Sequence, residues 1–182
     1  MNKHYYSWQD LEKACVNITL QMYKDNWRPD YIVGITRGGN VPATILSNML
    51  DVPGQALKVS LRDDIVDNES NCWMSEDAFG YVNEEERVTL KTRWDISKRK
   101  NILIVDDIND TGATFNWIKE DWQASCLPDE SSWNTVWHNN VRFATITDNL
   151  ASEFNGSVDY TTHEINKAEQ DVWLVYPWEN VI

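Results

Sequence analysis

The sequence predicts an α/β fold, a mainly parallel β-sheet flanked by helices, and three observations point to it. The short β-branched runs Tyr31-Ile32-Val33-Gly34-Ile35 and Ile102-Leu103-Ile104-Val105 have the unbroken hydrophobicity of strands covered on both faces. Segments with apolar residues at helical spacing alternate with these runs. The loops after both runs are rich in Gly, Thr and Asp, and on a parallel sheet ligands bind beyond the carboxyl ends of the strands. A length of 182 residues fits one domain, 1–182, large enough to bury its own core.

Ser7, with Asp10 three residues on, reads as a helix N-cap, and Trp8, Leu11, Cys15, Ile18 and Met22 recur at helical spacing, so a helix is predicted over about 8–25. Asn26-Trp27-Arg28-Pro29-Asp30 ends it before the strand at Tyr31. Thr36-Arg37-Gly38-Gly39-Asn40 is a tight loop, and Pro42 suits the first turn of a helix over about 42–50. A strand follows over Gln55 to Ser60. Residues 62–100 are polar, with the acidic run Glu84-Glu85-Glu86, and read as a long excursion forming a flap or small hairpin. The strand at Ile102 leads into a loop from Asp106 to Ala113 and a helix over Thr114 to Gln123. A polar linker, 124–138, precedes a strand over Val141 to Thr147, and Val172-Trp173-Leu174-Val175 is a last apolar run before Pro177.

The net charge of −13 argues against a nucleic-acid binder or a binder of anionic membranes, since both need a basic footprint. A polyphosphate substrate would then need local neutralisation by metal ions, backbone N–H groups and a few arginines. Cys15, Cys72 and Cys126 have no metal-like spacing and read as free thiols of a reducing compartment. With no apolar leader and no transmembrane run, the expected location is the cytoplasm. Ten tryptophans are many for this length; some would pack, and others would stack on a flat ligand.

The chemistry is concentrated in Ile102-Leu103-Ile104-Val105-Asp106-Asp107-Ile108-Asn109-Asp110-Thr111-Gly112-Ala113-Thr114. A buried strand brings two adjacent carboxylates to its open end, suited to a polyol or a hydrated metal. Asp110 to Thr114 then turns into a helix N-terminus, where small residues, two hydroxyls and the helix dipole favour a phosphate. Two glycines beside Arg37 make Thr36-Arg37-Gly38-Gly39 a second anion loop, although such a turn alone is commonly just a turn.

The thirteen-residue segment resembles the PRPP motif of the type I phosphoribosyltransferases, where PRPP is 5-phosphoribosyl-1-diphosphate. Trp8, the Thr-Arg-Gly-Gly loop and the tail Gln170-Asp171-Val172-Trp173-Leu174-Val175-Tyr176-Pro177-Trp178-Glu179 are most similar to the bacterial xanthine–guanine (purine) members. The resemblance implies a Rossmann-like fold with a small hood or flap, in which 62–100 is the flap and 150–182 the hood and base-binding tail. It implies that Asp106 and Asp107 hold the ribose hydroxyls and Mg2+, with Glu179 also near the metal. Asp110, Thr111, Gly112, Ala113 and Thr114 would wrap the 5-phosphate, and Asp110 would manage the proton on the base.

It further implies that Thr36, Arg37, Gly38 and Gly39 bind pyrophosphate, often through a non-proline cis peptide, together with Arg87. Arg87 reads equally as a solvated charge beside the glutamates. Trp173 would stack on the base, with Leu174 beside it, although a Trp in an apolar run is more often core. The family carries a lysine after the strand at 141–147 that donates to the exocyclic oxygen of a 6-oxopurine. Asn149 stands there instead, and an amide can donate or accept. The implied reaction transfers the phosphoribosyl group from Mg-PRPP to a nucleobase, releasing pyrophosphate, in a homo-oligomer (dimer or tetramer). Two rivals stay open: a transferase for another base, and a PRPP- or nucleotide-sensing regulator without catalysis.

Overall fold

The structure, a computed structural model, describes residues 1–61, 68, 72–126 and 130–179. Along the chain run β1 (Asn2–Tyr5), α1 (Trp8–Lys24), β2 (Tyr31–Thr36), α2 (Asn40–Leu50), β3 (Gly54–Lys58), α3 (Cys72–Phe79) and α4 (Glu84–Leu90). A 3-10 turn (Ile96–Lys98) precedes β4 (Ile102–Asn109), α5 (Ala113–Cys126), α6 (Glu130–Trp133), β5 (Val141–Asn149), β6 (Tyr160–Ile165) and β7 (Val172–Val175). The main sheet has the order β3-β2-β4-β5-β6, every pairing parallel, and β1 pairs with β7, also parallel, in a separate two-stranded sheet.

The apolar runs are unbroken because side chains of period two feed two different cores. Ile32, Leu103, Val105, Ala144 and Ile146 pack with α1 and α2, through Leu11, Ile18, Met22 and Leu46. Tyr31, Val33, Ile35, Ile102, Ile104, Val141 and Phe143 pack on the other face with Met74, Phe79, Phe115, Ile118 and Trp122. Helix α1 starts where its sequence says it should: the Ser7 Oγ accepts from the Asp10 N–H at 3.1 Å, and the Asp10 carboxylate accepts from the Ser7 N–H at 2.8 Å.

Several expectations are corrected. Strand β4 continues through the acidic pair to Asn109, because β5 stays in register beside it, with Asp106 opposite Thr145 and Asn109 opposite Asp148. Strand β5 likewise runs on to Asn149. The described part of 62–100 is helical, and α3 buries Met74, Ala78 and Phe79 in the core that α5 shares, so this portion is packed structure. The flap reading of residues 62–67 and 69–71 lies outside the described residues. The 124–138 stretch is no simple linker: Trp133, Val136 and Trp137 are buried in the second core, while 127–129 lie outside the described residues. The hood shares its residues differently from the 150–182 expectation. Strand β6 joins the main sheet, and the N-terminal β1 pairs with β7.

The three cysteines are free thiols in unlike settings. Cys15 is fully buried, and burial pushes its thiol up to about 12; Cys126 is half-buried and pushed up to about 11, again chiefly by burial, while Cys72 is exposed. Because the thiolate is the reactive form, native protein titrated with a thiol reagent at pH 8 should label Cys72 first and Cys126 more slowly. Cys15 should label only on unfolding, read by mass spectrometry of the labelled peptides.

Candidate active site

Strands β2 and β4 are neighbours in register, with Gly34 opposite Val105, so their carboxyl ends open side by side and the two anion loops leave together. The loops touch. A Cβ on Gly38 would overlap the Asp107 carboxylate, and one on Gly39 would overlap the carbonyl oxygens of Val105 and Ile35. Gly39 has φ −67°, open to any residue, so closeness to β4 and not backbone conformation demands glycine here. The Thr36–Arg37 peptide is cis, Arg37 is exposed, and α2 begins directly after the loop at Asn40.

On β4 each acid of the pair accepts the N–H of the residue that follows it: Asp106 Oδ1 from Asp107 at 2.9 Å and Asp107 Oδ1 from Ile108 at 2.8 Å. The loop from Asp110 then turns into α5. Gly112 has φ +87°, and its Cα lies against the backbone of Glu153 and Phe154, so both conformation and space exclude a side chain. The segment after β5 braces this loop. Glu153 N–H donates to the Thr111 carbonyl at 2.9 Å, Asn116 Nδ2 donates to the Glu153 carbonyl at 2.9 Å, and Asn109 Nδ2 donates to Asp148 at 2.8 Å and Ser152 at 2.9 Å. Thr111 and Ala113 are exposed and Thr114 is half-buried at the mouth of α5.

The base-side residues meet at the tail. Trp173 is 51% exposed, so its ring is no part of a core, whereas the Leu174 side chain is buried. Asn149 is buried, and its amide is taken up by backbone: Nδ2 donates to the Asp110 carbonyl at 2.9 Å, and Oδ1 accepts from Ala151 N–H at 3.2 Å and Lys167 N–H at 3.0 Å. Lys167, which sequence reasoning missed, places Nζ 2.9 Å from Asp110 Oδ1 and 6.0 Å from the centre of the Trp173 ring. Its only sequence signal was a cation in the turn Asn166-Lys167-Ala168-Glu169-Gln170 just before the tail. Glu179 Oε2 accepts from the Tyr176 N–H at 3.0 Å, closing the turn after β7. Arg87 sits on α4, ion-paired to Glu84 at 2.7 Å.

Tyr176 ties the tail to the acids: its hydroxyl donates to the Asp107 carbonyl at 3.1 Å and accepts from the Thr147 hydroxyl at 3.0 Å. Burial, with the nearby Asp107, pushes that hydroxyl well above its ordinary range, so it stays a donor. The Tyr176 ring stacks between Tyr6 and Trp178, with centroids 4.9 Å away on each side. Tyr6 also bonds His163 Nδ1, and burial holds that imidazole below its usual range.

Fold and site together define an α/β protein with two glycine-bearing loops at the ends of adjacent parallel strands and a carboxylate pair beside them. A model of the phosphoribosyl transferase domain matches residues 1–176, and the chain belongs to that family. It is 28% identical over 197 residues to the hypoxanthine-guanine phosphoribosyltransferase of Schizosaccharomyces pombe, covering 96% of this chain and 88% of that one. A xanthine-guanine phosphoribosyltransferase of Cereibacter sphaeroides is 26% identical over 153 residues, covering 84% and 70% of the two chains. In fold it is similar to the purine phosphoribosyltransferase of Pyrococcus horikoshii, with a TM-score of 0.64, 21% identity, and coverage of 100% and 97%.

Gly112→Ala places a side chain at positive φ against the backbone of Phe154. It should lower unfolding stability by at least ~1 kcal/mol in urea titration, with an unchanged m-value.

Proposed function

We propose that this chain transfers the 5-phosphoribosyl group from PRPP to a purine base, releasing pyrophosphate and a nucleoside monophosphate. The observation that most supports this reading is the direct contact of the loop after β2 with the acidic end of β4, Gly38 against the Asp107 carboxylate. That contact sets the candidate diphosphate loop beside the candidate ribose-binding acids, as a substrate carrying both a sugar phosphate and a diphosphate requires. The purine is suggested by what the relatives from S. pombe and C. sphaeroides are named for.

In this reading Asp106 and Asp107 bind the ribose hydroxyls, and Asp110 to Thr114 wraps the 5-phosphate with loop N–H groups and the N-terminus of α5. The loop Thr36 to Gly39 receives the departing diphosphate, with Arg37 supplying positive charge. Trp173 offers its exposed face to the base, which holds the ring nitrogen against C1 of the ribose. The Asp110 carboxylate accepts the proton from that nitrogen as the bond to C1 forms. Tyr176, held between the acidic pair and the stacked rings, fixes the tail over the site.

Among the described residues no group of three or more His, Cys, Asp or Glu forms a metal cage. Mg2+ keeps waters and binds through one or two carboxylates plus substrate phosphates. Asp106 and Asp107 offer that oxygen pair and would hold it, with Glu179 at the edge of the tail. When bound, the ion neutralises charge developing on the diphosphate. The free thiols fit a reducing, cytoplasmic setting, and a homo-oligomer, dimer or tetramer, is the assembly the resemblance implies. Among the described residues no helix is long and apolar enough to cross a membrane.

Pyrophosphate release assayed with PRPP, Mg2+ and guanine, xanthine, hypoxanthine, adenine or orotate should appear with at least one purine and stop when EDTA removes the metal. Silence with every base, while PRPP still binds, would favour the sensing regulator instead. Asp110→Asn should lower kcat by ~10²–10⁴-fold and weaken PRPP binding, read by calorimetry, far less. Equal loss of both would remove its assigned role.

A further inference from the structure

We propose that Tyr6 and His163 are positioning residues, which seat the tail on the acidic end of β4 through a chain of hydrogen bonds that can run in one direction only. The proposal rests on the phosphoribosyl-transfer reading and adds to it two residues outside both loops.

Four contacts make the chain. His163 Nδ1 meets the Tyr6 hydroxyl, which meets Thr147 Oγ1 at 2.8 Å. Thr147 Oγ1 meets the Tyr176 hydroxyl at 3.0 Å, and that hydroxyl meets the Asp107 carbonyl at 3.1 Å. The pairing of β5 with β6 sets Thr147 opposite His163, and Tyr6 joins them from the segment between β1 and α1. Thr147 and Tyr176 are buried, so their hydroxyls have these partners in place of bulk water.

The direction follows from counting protons. The Asp107 carbonyl can only accept, so the Tyr176 proton goes to it. The Tyr176 oxygen then accepts from Thr147, whose single proton is used there. Thr147 in turn accepts from Tyr6, and Tyr6, its own proton spent, must accept from His163. Every contact is a hydrogen bond only if His163 carries a proton on Nδ1. With the proton on Nε2 alone, Tyr6 would turn to the imidazole, and one pair of hydroxyl oxygens in the chain would meet lone pair to lone pair. A neutral imidazole free in water carries its proton mainly on Nε2, so here the fold imposes the other tautomer.

Tyr6 grips the tail in two further ways. Its N–H donates to the Val175 carbonyl at 2.9 Å, and its ring lies on the Tyr176 ring, with centroids 4.9 Å apart and planes 5° from parallel. Val175 ends β7, the strand that carries Trp173 and its exposed face. The chain therefore sets where that strand ends relative to Asp107, and with it the spacing between the base face and the acids. Tyr6 and His163 act through Tyr176 and stand apart from the reacting atoms. Burial, and then the His4 ring 5.5 Å away, hold the His163 imidazole below its usual range, while Asp10 on α1 acts electrostatically on both Tyr6 and His4. The imidazole is thus neutral at pH 8, where its tautomer can be read.

The test takes two readings on the full chain. At pH 8 a long-range proton–nitrogen NMR spectrum of the wild type should show His163 protonated on Nδ1, its signals identified by their loss in His163→Leu. A proton on Nε2 overturns the proposal, and this reading decides even if a variant fails to fold. The second is calorimetry with inosine or guanosine 5′-monophosphate, whichever the wild type binds more tightly, and with PRPP and Mg2+. Tyr6→Phe, which keeps the stacked ring, should weaken nucleotide binding ~3–10-fold, the scale of one hydrogen bond, and PRPP binding less. His163→Leu should weaken it comparably, and His163→Asn, whose amide N–H can stand near the Nδ1 position, should recover most of the loss. Tyr6→Phe combined with His163→Leu should bind no more weakly than Tyr6→Phe alone, because a chain already cut at Tyr6 no longer passes through His163. Losses that add in the double variant, or unchanged binding in Tyr6→Phe, overturn the proposal; thermal unfolding of each variant shows whether the fold is kept. If the wild type binds neither PRPP nor a nucleotide, the transferase reading falls and the positioning role with it. Normal binding of both with no loss in Tyr6→Phe removes the positioning role alone.

Discussion

The parallel pairing of β2 with β4 is the constraint on which the site depends. Neighbouring strands lie about 4.8 Å apart, so loops leaving the same end of two paired strands must share space. Here they share it so fully that Gly38 and Gly39 have no room for a Cβ. A turn needing positive φ would call for glycine by conformation; this one calls for it by crowding. The result is that the loop's backbone lies directly on the end of β4, with Gly38 against the Asp107 carboxylate. Residues 36–39 and 106–107 are then one surface, and any shift of register in the sheet would separate them.

The strongly acidic chain makes the placement of positive character matter. With a net charge of −13, a polyanionic substrate meets a repulsive field at long range. Among the described residues near the loops, positive character includes Arg37 exposed on its loop, the start of α5, and Lys167 against Asp110. In the proposed reading these offset that field locally.

Much of this was legible in the sequence where local chemistry decides structure. The Ser7 cap, the apolar runs at Tyr31 and Ile102, and the glycine loops all follow from residues within a few positions of one another. What was not legible depends on distant partners. Strand β1 is four exposed residues, Asn2–Tyr5, and exists only because β7 runs beside it. Strand β6 reads Tyr-Thr-Thr-His-Glu-Ile, polar along one side as befits a sheet edge, and is ordered by β5. The acidic pair was assigned to a loop because carboxylates suggest one, yet β5 keeps it in the sheet. At Asn149 the sequence showed only that an expected cation was missing. That Lys167 lies beside Asp110 is a fact of three-dimensional space, since the Asn149 amide joins positions that pattern reading keeps apart.

The many tryptophans span a range of settings. Trp122, Trp133 and Trp137 are sheltered in the core that α5 covers, with Trp133 and Trp137 stacked 5.2 Å apart, while Trp8 and Trp173 are more than half exposed and Trp73 and Trp94 are wetted on the opposite side. Sheltered indoles emit towards the blue and wetted ones towards the red. The blue edge of the protein's own emission therefore reports the integrity of its interior, with no dye attached.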